Sequence, residues 1–563
     1  MNKFIFTLCF SFILNSFSQD KYPQSYFQNP LDVPLYLSGT FGELRSNHFH
    51  SGLDLKTQQR EGLKVFAAAQ GYVSRIRVSH YGFGKALYIT HPNGYTTVYA
   101  HLKKFNPAIE SYLKKAQYKK ESFEIQLFPS KDALTVTQGE IVAFSGSTGG
   151  FIGPHLHYEI RDGNSKPINP LLFGIKVKDT KEPRINTLMV YPVDSTSHVN
   201  QSNIPLQINF RTQNDGSLLA SKISAFGKIG FGVNVYDQLN GALNKNGIYS
   251  LELSVNGQKK YFHDVETFSF AETKHLNQLI DYKRYADLNQ RIQRCFVTEH
   301  NPLSIYKNVK DRGYVLVKDQ LSYNVKIVAK DLKGNTSTLL IPVLGKKDTI
   351  LVFEKEKTTN YRIKAAEFNT FSKDGVSISF PKNTFYDDFY LDFKTDNGEA
   401  TVHKSNVLVH KNYTLTFDVS SYSKVAKEKL FIASYNSNGY PGFLNTTKKE
   451  NSFYTSTKNL GKFALLSDIK KPSLELSNFK HKQWVTNFSK ISLKVTDDLS
   501  GLKTYRGEID GDWILLEYSP KHRTLTYDFS DKKFTTAKHL LKVIAVDNVG
   551  NTNTLKATFF RKK

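Results

Sequence analysis

Short runs that alternate apolar and polar side chains set the character of this chain. Gly71–Val78 reads Gly-Tyr-Val-Ser-Arg-Ile-Arg-Val, and Lys85–Thr90 reads Lys-Ala-Leu-Tyr-Ile-Thr. A period of two sends every second side chain to the same face, as in a half-buried strand. His91-Pro-Asn-Gly94 adds an Asn-Gly hairpin turn, so residues 95–99 are expected to return antiparallel. Further strands are expected at 123–128 and 141–145, after a lead-in strand and loop over 19–44. Residues 106–120 break the rhythm with a proline and then Ile109, Tyr112, Leu113 and Ala116 at helical spacing, which predicts a helical insertion inside a β domain. A glycine-rich loop, Gly146-Ser-Thr-Gly-Gly-Phe-Ile-Gly153, follows.

Farther along, the chain repeats itself. Asp179-Thr-Lys-Glu-Pro183 returns as Asp468-Ile-Lys-Lys-Pro472, and Val233-Asn-Val-Tyr-Asp-Gln-Leu-Asn-Gly241 as Leu493-Lys-Val-Thr-Asp-Asp-Leu-Ser-Gly501. Lys326-Ile-Val-Ala-Lys-Asp-Leu-Lys-Gly-Asn335 returns as Lys542-Val-Ile-Ala-Val-Asp-Asn-Val-Gly-Asn551. Three matches in one order mark two copies of a module, and the strand–turn rhythm predicts immunoglobulin-like β-sandwiches. The first copy is longer, chiefly through a helical insertion expected over 262–295. Between the copies lies a further β-rich unit, with alternating strands expected at Val376-Ser-Ile-Ser-Phe-Pro381 and Phe389-Tyr-Leu-Asp-Phe393.

A chain of 563 residues exceeds what one hydrophobic core serves, so several domains are required. The expected division is a signal peptide over 1–18, a metallopeptidase domain over 19–175, a sandwich with a helical insertion over 176–350, a β-rich domain over 351–467 and a second sandwich over 468–563. The fold class is mainly β. Met-Asn-Lys, an apolar run to Phe17 and small residues around Ser18 have the form of a secretory signal peptide. No other stretch is apolar enough to span a membrane, so no transmembrane segment is expected after its removal. Export would leave Cys295 as the only cysteine, unable to form an intramolecular disulfide and expected to be a small buried hydrophobe. The formal charge of +25 suits anionic envelope polymers. Nucleic acid is not expected, because no binding motif accompanies the charge.

The candidate chemistry lies in three places. Asn47-His-Phe-His-Ser-Gly-Leu-Asp54 sets His50 and Asp54 four positions apart, and Gly153-Pro-His-Leu-His-Tyr-Glu159 sets His155 and His157 on one face of a strand. Between them, Tyr99-Ala-His-Leu102 offers His101. Two imidazoles and a carboxylate make a catalytic zinc site that keeps a position for water. His-Glu-x-x-His and Gly-x-Ser-x-Gly are absent, and Ser111 with Lys114 matches only the shortest part of a serine motif. Of the neighbours, His91 reads as structural, Tyr158 as core, and Glu159 as a residue on the histidine face that can hold an imidazole.

Together, His50-Ser-Gly-Leu-Asp54, Tyr99-Ala-His101 and Gly153-Pro-His-Leu-His-Tyr-Glu159 resemble the lysostaphin-type (LytM-like) zinc metallopeptidases over residues 40–173; Gly139-Glu-Ile-Val-Ala-Phe-Ser-Gly146 also fits. The resemblance implies an antiparallel β-sheet peptidase domain that cuts peptides of bacterial peptidoglycan. It implies one Zn2+ held by His50, Asp54 and His157, with His101 and His155 as unligated catalytic histidines, either of which can serve as the base. The stretch between His101 and Gly139 is longer than the family's usual link, which bears on which peptide fits. Competing readings are a non-catalytic scaffold or activator of wall hydrolases, a protease acting on proteins, and a surface adhesin. All five positions being filled favours the enzyme.

Overall fold

The computed structural model describes residues 21–150, 153–355, 357–396 and 398–562; the expected signal peptide lies outside them. The first domain is built from β1 (Leu37–Gly39), β2 (Leu53–Lys56), β3 (Lys64–Phe66), β4 (Gly71–Val78), β5 (Lys85–Thr90), β6 (Thr96–Ala100) and β7 (Leu102–Phe105). Then come α1 (Pro107–Lys120), β8 (Ile125–Leu127), β9 (Thr135–Val136), β10 (Ile141–Ser145) and β11 (His155–Arg161). The main sheet runs β1-β2-β11-β6-β5-β4-β8, and β3-β10-β7 form a second, smaller sheet. One apolar core, including Leu53, Leu55, Ile89, Tyr99, Leu102, Leu156 and Tyr158, lies beneath both.

The alternating runs became strands where they were expected, with the return strand shifted by one residue to Thr96–Ala100 and the 123–128 strand shortened to Ile125–Leu127. The Asn-Gly turn closes as His91 N–H donates to Tyr95 O at 2.9 Å, with Gly94 at φ +85. The helix expected over 106–120 is α1, capped by the Asn106 side chain, which accepts from the Ile109 N–H.

The helical insertion expected over 262–295 is confined to the stretch that carries the apolar spacing, from Leu276 to Tyr285 and its margins. The start of the expected range belongs to the strand Gln258–Asp264, where Phe262 pairs with Glu252 and Asn308, and only Leu276–Leu279 and Tyr282–Leu288 are α-helical. Phe389–Phe393 is likewise not one strand. Phe389–Tyr390 pairs with Arg362–Ile363 and Phe393–Asp396 with Glu399–Val402, because Leu391 between them turns into the core.

Three further cores follow in sequence, each enclosed by largely antiparallel sheets. The last of them, over 474–559, lies between sheets of four and five strands. Its strands and loops contact the first domain again. Asp531 accepts from Lys114 and, at 3.1 Å, from Tyr118 Oη of α1; Glu517 pairs with Lys85 at 3.0 Å; and Arg506 pairs with Glu121 at 2.6 Å. Lys521 donates to Ser147 O in the glycine-rich loop. Among the described residues no helix is long and apolar enough to cross a membrane. Cys295 is buried and unbridged.

Candidate active site

Strand register brings the sequence candidates into one row. β11 lies between β2 and β6, and its His157 is directly opposite Asp54 on one side and Ala100 on the other. Residues directly opposite in an antiparallel pair share a face, so Asp54 and His157 must project together. His101 is the next residue after Ala100 and the hinge at which the chain leaves the main sheet for the smaller one. It does so at φ +58, a left-handed conformation that costs a non-glycine residue and tends to mark functional sites. His50 comes from the loop before β2, closed by its own N–H donating to Glu43 O at 2.9 Å.

The glycine of His50-Ser-Gly-Leu-Asp54 has a steric reason. A Cβ at Gly52 would meet Tyr158 O at 2.4 Å, so any other residue would push β2 away from β11. Gly149 is equally constrained: at φ +85 its Cβ would lie 2.2 Å from Gly82 O, and the missing side chain lets Gly149 and Gly150 pack on the Gly82–Gly84 turn beside His101.

Three donor atoms converge. His50 Nε2 is 3.0 Å from Asp54 Oδ1 and 3.1 Å from His157 Nδ1, and His157 Nδ1 is 3.0 Å from Asp54 Oδ1. All three side chains are buried. A single proton cannot bridge three mutual contacts, whereas one small cation about 2 Å from each atom can, and a mixed nitrogen and carboxylate set suits zinc. The residues therefore fit a metal ion.

Each donor is held from behind. His50 Nδ1–H donates to Thr40 O at 2.7 Å. Asp54 Oδ2 accepts from Arg45 Nη2 at 2.8 Å. His157 Nε2–H donates to Glu159 Oε1 at 2.9 Å, and Glu159 itself accepts from Ser51 Oγ and Arg161 Nε, each at 2.5 Å. Burial raises the Asp54 carboxyl, but His50 and His157 overcome it and hold the group well below the usual range. Burial lowers His157, yet Asp54 and Glu159 lift it to about 9, so the surroundings of this ring favour positive charge. Burial raises Glu159, and Arg161 with His157 pull it down to about 2.

The other two histidines sit beside this group. His155 Nε2 is 3.7 Å from Asp54 Oδ1, and the His101 and His155 rings are 4.6 Å apart. His101 Nδ1–H donates to Thr148 O at 2.9 Å, and His155 Nδ1–H to Gly153 O at 3.1 Å, which puts the lone pair of each neutral ring on Nε2. Burial, reinforced by His157 and His155, pushes His101 down to about 3; burial lowers His155 as well. Both are neutral at physiological pH and able to accept a proton.

All five expected residues thus meet. His48 stays outside the cluster, with Nδ1 on its neighbour Asn47 Oδ1. His91 is structural, bonded to Gln70 O and Thr97 Oγ1, and Tyr158 is in the core. Sequence reasoning missed Arg45, Ser51 and Arg161. Arg161 had a signal, since it continues the 155, 157, 159 alternation; Arg45 had none.

Residues 48–118 match Peptidase family M23, and residues 360–468 match a Zu5-like domain. The first match holds His50, Asp54 and His101, and the strand with His155 and His157 lies beyond it. The DD-carboxypeptidase/endopeptidase Mpg of Neisseria meningitidis serogroup B is 34% identical over 128 residues, 23% of this chain and 23% of that protein. The peptidoglycan DD-endopeptidase ShyB of Vibrio cholerae is 27% identical over 154 residues, 27% of this chain and 30% of that protein. The chain thus spans between a fifth and a third of the length of these curated relatives. Among solved structures, the catalytic domain of lysostaphin from Staphylococcus simulans aligns with 24% of this chain and 90% of that one, at 22% identity and a TM-score of 0.18.

Proposed function

We propose that this protein, whose first domain is a peptidase family M23 domain, is an exported zinc endopeptidase that hydrolyses peptide bonds in bacterial peptidoglycan. The observation that carries the reading is the convergence of His50 Nε2, Asp54 Oδ1 and His157 Nδ1 within 3.0–3.1 Å of one another. Zinc bound there supplies Lewis-acid polarisation of a peptide carbonyl and activation of water near neutral pH.

The protein's own residues do the rest. His50, Asp54 and His157 hold the metal, and Thr40, Arg45 and Glu159 fix their orientation. His101 and His155 carry their lone pairs on Nε2, so either ring can take the proton from the attacking water and return it to the departing amine. Protonated, the same rings stabilise negative charge on the carbonyl oxygen. No acid–base glutamate is required, which accounts for the missing His-Glu-x-x-His motif.

Wall peptide as substrate rests on the relatives named DD-carboxypeptidase/endopeptidase and peptidoglycan DD-endopeptidase. The signal-like first 18 residues and the charge of +25 fit a periplasmic or wall-associated protein that meets anionic envelope polymers. The two repeated modules, read as immunoglobulin-like sandwiches, and the unit between them position the catalytic domain.

The test is digestion of purified sacculi with zinc-loaded protein, followed by separation of the released muropeptides. Conversion of cross-linked dimers to monomers by wild type, and none by His157→Ala, is expected. Intact cross-links after incubation with zinc-loaded wild type would overturn the wall substrate.

A further inference from the structure

A second group of titratable side chains lies away from the active site, where the first domain meets the first repeated module. Asp179, Asp237 and Asp331 bring carboxylate oxygens within 4.8 Å of one another. They come from three distant segments: the connector into the strand Arg184–Pro192, the end of the strand Ile223–Tyr236, and the turn between Ser322–Lys330 and Thr336–Gly345. Asp237 and Asp331 are only 3% and 5% exposed.

Three carboxylates crowded into a buried corner repel one another and lose hydration, a cost that calls for compensating positive charge. Protein cations supply it only in part. The Lys181 charge favours ionised Asp179 and Asp237, but its Nζ is on Leu239 O at 3.4 Å. Lys333 lines the cavity beside the cluster, and no ion pair to any of the three aspartates is found among the described residues. Asp331 accepts from the Asn335 N–H at 2.8 Å and from Asn335 Nδ2 at 2.5 Å, and Asp179 from the Lys181 N–H at 3.2 Å. Asp237 Oδ1 is buried with no hydrogen-bond partner.

A separate residue points the same way. Asn246 pairs directly with Asp237, exchanging backbone bonds of 2.9 and 2.8 Å, so the two side chains stand on one face. Asn246 is 3% exposed, and neither its Oδ1 nor its Nδ2 has a partner. A buried amide bonded to nothing beside a buried carboxylate oxygen bonded to nothing is a polar site built for something else. We infer that Asp179, Asp237, Asp331 and the Asn246 carbonyl bind a hard divalent cation, calcium, at the junction between the peptidase domain and the first module.

An all-oxygen donor set suits a hard cation rather than zinc, and a site assembled from carboxylates and an amide carbonyl on separate segments suits the flexible coordination of calcium better than the strict, water-retaining octahedron of magnesium. Burial and then the Asp179 charge push Asp237 up to about 7, and burial with Asp331 pushes Asp179 to about 6, as expected of carboxylates waiting for a cation. The construction also recurs. In the second module Asp468, Asp497 and Asp547 occupy the same three motif positions and again lie within 4.8 Å, with the buried Ser500 Oγ unpartnered beside them.

The position gives the ion a purpose. Thr40, Phe41 and Asn169 of the peptidase domain line the same cavity as the three aspartates, and Gly247 N–H donates to Thr40 Oγ1 at 3.1 Å. Thr40 O holds the His50 imidazole. A cation here pins the module against the loop that orients a catalytic-site histidine.

The test uses full-length zinc-loaded protein, tyrosine-sensitised terbium luminescence and displacement by calcium; Tyr249 lines the cavity. Wild type should bind one more terbium per chain than Asp237→Asn/Asp331→Asn, and calcium but not magnesium should displace it. Calcium at about 100 times its dissociation constant should raise the wild-type melting temperature by about 5 °C, and that rise should shrink in the double variant. If the double variant does not fold, Asn246→Ala replaces it, with at least a tenfold weaker terbium affinity expected. Equal terbium stoichiometry and affinity in wild type and variant, or a calcium shift that survives the substitutions, overturns the site.

Discussion

His157 Nε2 and Glu159 Oε1 are 2.9 Å apart on the same strand face, and Arg161, two residues farther, closes on the other oxygen of Glu159 at 2.5 Å. One face of β11 thus carries both a donor atom of the metal cluster and the buried charges that fix its ring. Glu159→Gln keeps the shape and removes the charge, so metal affinity should fall about 10- to 100-fold. Competition with a fluorescent zinc chelator measures it. Unchanged affinity would mean that the carboxylate does not orient His157.

Gly52, just before β2, packs directly on the backbone of β11 at Tyr158. Gly52→Ala sets a methyl 2.4 Å from Tyr158 O, which can be relieved only by moving the strand that carries Asp54. The cost should be about 1–3 kcal/mol, with weaker metal binding, because a displaced β2 separates Asp54 from His157. Urea unfolding and zinc titration read the two effects; Ala at full stability would contradict the close approach.

Asp531 links domains more than 400 residues apart in sequence. Its side chain is 2% exposed and accepts from Lys114 and Tyr118 of α1. Asp531→Ala leaves both donors without their acceptor and should cost about 1–3 kcal/mol. Hydrogen exchange should rise in Pro107–Lys120 while the core of β11 stays protected. Unchanged exchange in α1 would mean that the last module does not brace the insertion.

His263 supplies a pH dependence away from the active site. Burial pushes it from 6.5 down to about 3, so below about pH 6.5 the unfolded chain binds a proton that the native chain refuses. Stability therefore rises with pH between about 3 and 6.5, and is lost on acidification, by up to about 1.4 kcal/mol per pH unit. His263→Gln cannot take up that proton, and its stability should change less between pH 6.5 and about pH 4. Chemical denaturation at several pH values tests this, and identical slopes for the two proteins would contradict it.

Much of the candidate site could be read from sequence because its spacing is local. Histidines two apart on a strand share a face, and His50 and Asp54 flank a glycine that only a close strand contact demands. What sequence hid depends on register and distance. Arg45 reaches Asp54 through a loop closed by backbone bonds, which leaves no periodic trace. Asp531 meets α1 across two intervening cores, a contact between distant segments that leaves no local pattern. Within 262–295 the apolar spacing of Leu276, Leu279, Tyr282 and Tyr285 marks the helical part, but it does not show that Ile280 is extended and bridges Gln293, which divides that part into two short helices.

The proposed division of labour has His50, Asp54 and His157 holding the metal and His101 and His155 moving protons. Zinc content and sacculus hydrolysis, measured together on five single alanine variants, test it most directly. About one zinc per wild-type chain is expected, and almost none in His50→Ala, Asp54→Ala or His157→Ala. His101→Ala and His155→Ala should keep their zinc yet lose hydrolysis by at least about 100-fold. Full zinc in folded His157→Ala, or full hydrolysis by both His101→Ala and His155→Ala, would contradict it.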